Sequence, residues 1–110
     1  MFSAALGPVQ LAASQGKAWA QSDLADYYYD GLVIDADQRT AAFWYRKAAD
    51  QGYGPAQTNL GVLYMTGYEG VSPNRAVAVH WFSEAALQGN RAAIDNLRVL
   101  GEPYPNQGGG

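Results

Sequence analysis

Cysteine is absent from the 110 residues. Neither a disulfide framework nor a thiolate metal site can therefore be built, although the compartment stays open. Histidine occurs once, at His80, so no histidine pair exists for zinc. A Ser-His-Asp arrangement would have to use that one residue, and an exposed or half-packed helix position accounts for it more simply. No stretch approaches the ~20 apolar residues of a membrane span. Long β-branched runs are missing, which leans the chain toward helix. Charge is sparse, and the net value of −3 argues against nucleic acid as a partner. No glycine-rich phosphate loop precedes a helix: "GNRAA" and "GYEGVSP" are too short and lack the P-loop lysine. No cofactor, metal or catalytic residue is expected.

The ends carry little. "MFSAALGPVQLAASQG" lacks the basic start of a signal peptide, and Gly7 and Pro8 break its short apolar run. A cytoplasmic setting is favoured for the chain as given. "EPYPNQGGG" reads as a flexible tail.

What is present is apolar, aromatic and repetitive. Nearly half of the chain is apolar, enough for one small domain. Gln-Gly pairs at 15–16, 51–52 and 88–89 set periods of 36 and then 37 residues. "AQSDLADYYYDG" at 20–31 lies over "AQTNLGVLYMTG" at 56–67, and "AAFWYRKAADQG" at 41–52 over "AVHWFSEAALQG" at 78–89. A third copy begins "QGNRAAIDNLRVL" at 88–100. The extra residue of the second period falls in the loop, where copy two has a glycine, Gly70, that copy one lacks.

Each copy reads as two helices. Ala56, Leu60, Leu63 and Tyr64 fall at i, i+4, i+7 and i+8, one apolar stripe on a 3.6-residue helix. Ala20, Leu24, Tyr27 and Tyr28 repeat it, as do Ala93, Leu97 and Leu100. Second helices carry Ala41, Trp44, Tyr45, Ala48 and Ala78, Trp81, Phe82, Ala85. The pattern predicts helices over 8–15, 18–30, 36–50, 55–66, 73–88 and 91–100. Asp35 and Ser72-Pro73 suit helix starts; Gly31, Gly52, Gly67 and Gly89 suit left-handed C-caps. Trp44 and Trp81 are expected to pack into alanines and Gly61 of neighbouring helices, and truncating either should cost about 3–5 kcal/mol. Two helices cannot cover their own stripe, so stacked copies must do it.

The motif "A-x-x-W-[YF]-x-x-A-A-x-Q-G" followed by "A-Q-x-x-L-[GA]-x-x-Y-x-x-G" resembles the Sel-one-like repeat (SLR), a relative of the tetratricopeptide repeat, over about 15–100. The resemblance implies an all-α fold, a right-handed α/α superhelix of antiparallel helix pairs. It divides the chain into a partial repeat or cap helix at 1–14, repeats at 15–50 and 51–87, a partial third repeat or cap at 88–100, and the tail at 101–110. Ala25 departs from the pattern where copy two has Gly61. The chain begins and ends inside repeats, like a piece of a longer array or a minimal protein with improvised caps. With two repeats and a fraction, low stability or help from self-association is expected.

By the same resemblance, first helices line the concave face. The groove candidates are then Asp23, Asn59 and Asn96; Asp26, Val62 and Val99; Asp30 and Thr66; and the outward pair Tyr29 and Met65. Both asparagines also match the repeat pattern, so a structural role competes. Asp23, Asp26, Asp30, Asp35 and Asp37 lie in a window, 18–38, without Lys or Arg. A solvated helix face is the plain explanation and a surface for a basic partner the sharper one; "DGLVIDAD" lacks EF-hand spacing. The implied function is a non-enzymatic adaptor or scaffold holding a protein or peptide segment, basic or of mixed polarity. Such modules occur in bacterial signalling, envelope and secretion assemblies and in eukaryotic membrane-protein quality control. The alternatives are a homo-oligomer formed through the incomplete terminal repeats and, less well supported, a hydrolase acting on cell-wall material through the Asp cluster.

Overall fold

The computed structural model describes residues 6–32 and 34–105. Residues 1–5, Val33 and 106–110, which include part of the N-terminal segment and half of the expected tail, lie outside the described residues. Six helices follow one another: α1 (Leu6–Ser14), α2 (Ala18–Asp30), α3 (Gln38–Asp50), α4 (Gly54–Thr66), α5 (Arg75–Ala86) and α6 (Arg91–Leu100). Among the described residues the β contribution is an isolated antiparallel bridge, Tyr68 to Val71. Each helix packs mainly on the one before and the one after. The result is an all-α solenoid, 49 × 27 × 19 Å with a radius of gyration of 14.5 Å, longer than the roughly 13 Å of a compact domain of this size.

The starts of α3 and α5 differ from expectation by two residues, while those of α2 and α6 fall where expected. Asp37, not Asp35, caps α3: its carboxylate accepts from the Thr40 amide at 3.1 Å and the Thr40 hydroxyl at 2.8 Å. Asn74, not Ser72, caps α5 by accepting from the Val77 amide at 3.1 Å. The cause is tertiary. The Asp37 amide donates to the Tyr28 carbonyl at 2.8 Å, and the Asn74 amide to the Tyr64 carbonyl at 2.7 Å. Each second helix is thus pinned to the first at the cap residue itself, whose backbone is extended. Gly31 closes α2 in the left-handed conformation, whereas Gly67 combines positive φ with an extended ψ of 163°.

The Gln-Gly pairs close helices and also tie repeats together. Gly16, Gly52 and Gly89 have φ of 91°, 87° and 84°. Each sits in a Schellman turn, such as Gly52 N–H to Ala49 O (2.9 Å) with Tyr53 N–H to Ala48 O (3.2 Å). The Gln51 amide donates to the Gly16 carbonyl and to the Gln21 side chain, both at 2.9 Å. One repeat on, Gln88 donates to the Gly52 carbonyl at 2.8 Å and to Gln57 at 3.0 Å. Gln21 and Gln57 are buried and donate in turn to the carbonyls of Ala13 and Ala49. Ile94 stands at the third such position.

The core runs lengthwise through three linked clusters, at α1–α2, at α2–α3–α4 with Trp81, and at α5–α6. Fully buried alanines (Ala20, Ala41, Ala48, Ala56, Ala78, Ala85) let the backbones approach. The expected tryptophan anchors need correction. Tyr45 and Phe82 are the buried aromatics, with 2% and 0% of their surface exposed, and Trp81 joins them at 7%; Trp44 is only half-buried. In each adjacent aromatic pair the second residue is the more deeply buried; Trp81 still packs in the central cluster, as expected, whereas Trp44 sits toward its edge. Residues 101–105, expected as the start of a flexible tail, turn back instead: Glu102 pairs with Arg75 at 3.0 Å, and Tyr104 packs on the α5–α6 cluster.

Candidate partner-binding groove

Two adjoining hollows meet at the acidic side of α2. One, of about 220 Å³, is lined by Asp26, Tyr29 and Asp30 of α2, Tyr45 of α3, and Asn59 and Val62 of α4. The other, of about 350 Å³, is lined by Asp23, Asp26, Tyr27, Asp30 and Leu32. Asp26 and Asp30 form the shared wall. The helical spacing of 23, 26 and 30 places the three carboxylates on one side of α2. None forms an ion pair within the described chain.

Asp26 is where groove and core meet. It is half-buried and accepts a hydrogen bond from the Tyr45 hydroxyl. Burial pushes its pKa up, the charges of Asp23 and Asp30 push it further, and the tyrosine hydrogen bond opposes them. Burial also raises Asp23. The Tyr45 phenol is held well above its usual range by burial and then by its carboxylate partner. Asp37 goes the other way, lowered by its bonds from Thr40, because it serves as a cap outside the groove. Asp35 is exposed.

The remaining candidates scatter. Met65 is half-buried and packs against the α5–α6 cluster. Thr66 is exposed and donates to its own backbone at Val62. The Asn96 amide donates to the Ala92 carbonyl at 2.9 Å, within its own helix. Val99 is 84% exposed. None of these four lines either hollow. Tyr45 was missed as a groove residue, because its periodicity marks it as core. A signal existed in the repeats: copy one has Asp26 with Tyr45 where copy two has Val62 with Phe82. A buried tyrosine needs a partner for its hydroxyl, and the pair changes together.

Elsewhere, His80 is exposed and lies edge-on to Trp81 at 4.8 Å. Among the described residues no cluster of three His, Cys, Asp or Glu could hold a metal ion. No helix among the described residues is long and apolar enough to cross a membrane.

Antiparallel helix pairs that bury their stripes within the pair and against the next pair, joined by repeated glutamine bridges, define an α-solenoid repeat protein. The Sel1 repeat model matches residues 20–53 and 54–90, and the chain belongs to the Sel1 repeat family. It is 42% identical over 76 residues to chitin synthase regulatory factor 3 of Schizosaccharomyces pombe, covering 67% of this chain and 8% of that protein. It is 33% identical over 87 residues to the chitin synthase regulator SKT5 of Saccharomyces cerevisiae, covering 77% of this chain and 12% of that protein. The chain thus spans only a small part of the length of these fungal relatives. Among solved structures it is similar to c5321, a protective antigen of uropathogenic Escherichia coli with an SLR fold. That match has TM-score 0.81 and 37% identity, over 84% of this chain and 20% of that one. A Sel1 repeat protein from Oxalobacter formigenes matches with TM-score 0.73 and 37% identity, over 78% of this chain and 34% of that one. Relatives of both fungal and bacterial origin favour neither a bacterial nor a eukaryotic setting. The family and the regulatory relatives support a protein-interaction role for the chain.

Proposed function

We propose that the chain is a non-enzymatic interaction module that holds a basic protein segment along the concave side of the solenoid, centred on Asp26. The observation that carries this reading is the hollow joining α2, α3 and α4. It combines carboxylates that lack an internal cation with an exposed Tyr29 and the half-buried Asn59 and Val62. Desolvation of Asp26 already raises the cost of its charge, and an incoming Lys or Arg would offset that cost. A preformed surface also limits the ordering penalty on the module's side. Similarity to two proteins named as chitin synthase regulators fits a module that acts by bringing a partner into place.

The test uses a fluorescein-labelled peptide of alternating lysine and leucine, read by anisotropy at low and physiological ionic strength. Asp23 and Asp30 are exposed, so Asp23→Lys with Asp30→Lys should leave the far-UV circular dichroism unchanged. Binding should weaken about tenfold or more, since each exposed pair contributes up to ~1 kcal/mol. Equal binding by this variant at low salt would remove the acidic wall as the contact surface. Sedimentation velocity on the same samples addresses end-to-end association, which the exposed Leu11 and Val99 would favour; a strict monomer at every concentration rules that reading out.

A further inference from the structure

A second concave site lies on the other helix of repeat one and shares no residue with the acidic hollows. It has a volume of about 380 Å³ and is lined chiefly by Arg39, Phe43, Arg46 and Lys47 of α3 with Tyr64 and Tyr68. On α3 the cations fall at i, i+7 and i+8 with Phe43 at i+4, which puts all four on one face. The far wall is the loop after α4, where the second repeat carries its extra residue. Tyr68 and Val71 bridge there, and Tyr68 stands edge-on to Tyr64 at 6.0 Å.

The cations are held in place. The Arg39 Nε donates to the Glu69 carbonyl at 3.1 Å. Its guanidinium lies so close over Gly70 that a Cβ there would come within 2.0 Å of it. Arg46 pairs with Asp50 at 3.0 Å and lies 5.4 Å from the centre of the Trp81 ring. The Lys47 ammonium sits 5.3 Å from the Phe43 ring, which is 54% exposed. Lys47 has no ion pair among the described residues. Asp50 is the acid paired with this face, and Glu69 lies at its margin beside Arg39.

We propose that this pocket docks a short acidic segment of a partner protein, with its carboxylates on Arg39, Arg46 and Lys47 and one apolar side chain against Phe43, Tyr64 and Tyr68. Charge complementarity selects an acidic occupant. Three cations next to Asp50 and Glu69, on a chain of net charge −3, suit a few carboxylates rather than a polyanion. The aromatic floor favours a segment with an apolar anchor. The module would then be two-sided, holding a basic segment on α2 and an acidic one on α3, as an adaptor joining two partners requires.

The probe is a fluorescein-labelled peptide of alternating Asp and Glu around a central Phe, compared with the same peptide bearing Ser at the centre. Saturable binding to the whole chain is expected, about tenfold weaker for the Ser peptide and weakened by salt. Lys47→Glu with Phe43→Ser changes two exposed groups and should cost about tenfold or more. Arg39→Gln should weaken binding by a smaller factor. Asp23→Lys with Asp30→Lys, which tests the acidic groove, should leave this binding in place, so the two sites succeed or fail separately. Absence of saturable binding at low salt would overturn the proposal. So would unchanged binding by the Lys47→Glu, Phe43→Ser variant, or binding of polyuridylate or phosphatidylserine vesicles in preference to the peptide.

Discussion

Gly61→Ala should destabilise this protein, although alanine is the better helix former. A Cβ built on Gly61 would lie 2.6 Å from Cε1 of Phe82, 2.7 Å from Cδ1 and 3.0 Å from Cζ. Carbon atoms prefer about 3.5–4.0 Å, so the ring or the α4 backbone would have to move by about 1 Å. Phe82 is fully buried and cannot swing into water. Overpacking of this kind costs about 1–3 kcal/mol, against a propensity gain of up to ~1 kcal/mol. The net loss of about 1–2 kcal/mol should lower the melting temperature by several degrees, at ~4–8 °C per kcal/mol for a domain of this size. Circular dichroism melts and urea titrations would measure it. Phe82→Leu should cost stability alone yet recover part of the loss in the Gly61→Ala background, giving a coupling of about 1 kcal/mol in a double-mutant cycle. A Gly61→Ala melting point equal to or above the parent's would refute the close-approach argument, because only the propensity term would remain.

The glutamine bridges and the acidic groove make further predictions. Gln88→Ala should cost about 1 kcal/mol, since it removes the donor to Gly52 and leaves the side-chain oxygen of buried Gln57 without that partner. Gln88→Glu should cost more at neutral pH, because a carboxylate then faces two acceptors, and the difference should shrink as acid protonates it. Thermal melts of both variants across pH check this; equal penalties at neutral pH would mean that packing, not donation, matters there. For the groove, the folded chain binds protons at Asp23 and Asp26 before the unfolded chain does, since burial raises both. Stability should therefore rise as pH falls from neutral toward the ordinary carboxylate value of 3.8. Asp37, whose pKa is lowered, contributes in the opposite sense and loses its contribution below that value. Asp26→Asn should flatten the rise, and a rise of unchanged size in that variant would exclude Asp26 as its source.

Helix number, helix faces and the repeat itself were legible because they are periodic. Stripes such as Ala56, Leu60 and Leu63 report burial through spacing alone, and all three are buried. The groove was legible only in part. Asp23, Asp26 and Asp30 share a side of α2 by spacing, but Asn59 and Val62 reach the hollow only because α4 lies beside α2. Met65, Asn96 and Val99 follow the same rows on paper and end elsewhere, since packing and local hydrogen bonds claim the first two and the third faces solvent.

Sequence by itself determined the architecture: a period near 36 residues with two apolar stripes per copy can be satisfied only by stacking helix pairs. Tertiary structure decided what no spacing encodes. It selected Asp37 and Asn74 as caps through amides bonded to the preceding helix. It turned the recurring Gln-Gly from a helix stop into a bridge between repeats. It also gathered Arg39, Phe43 and Lys47 against a loop some thirty residues away. Periodicity describes one helix against a featureless apolar environment, whereas these contacts depend on which atoms the neighbouring helix places within bonding distance.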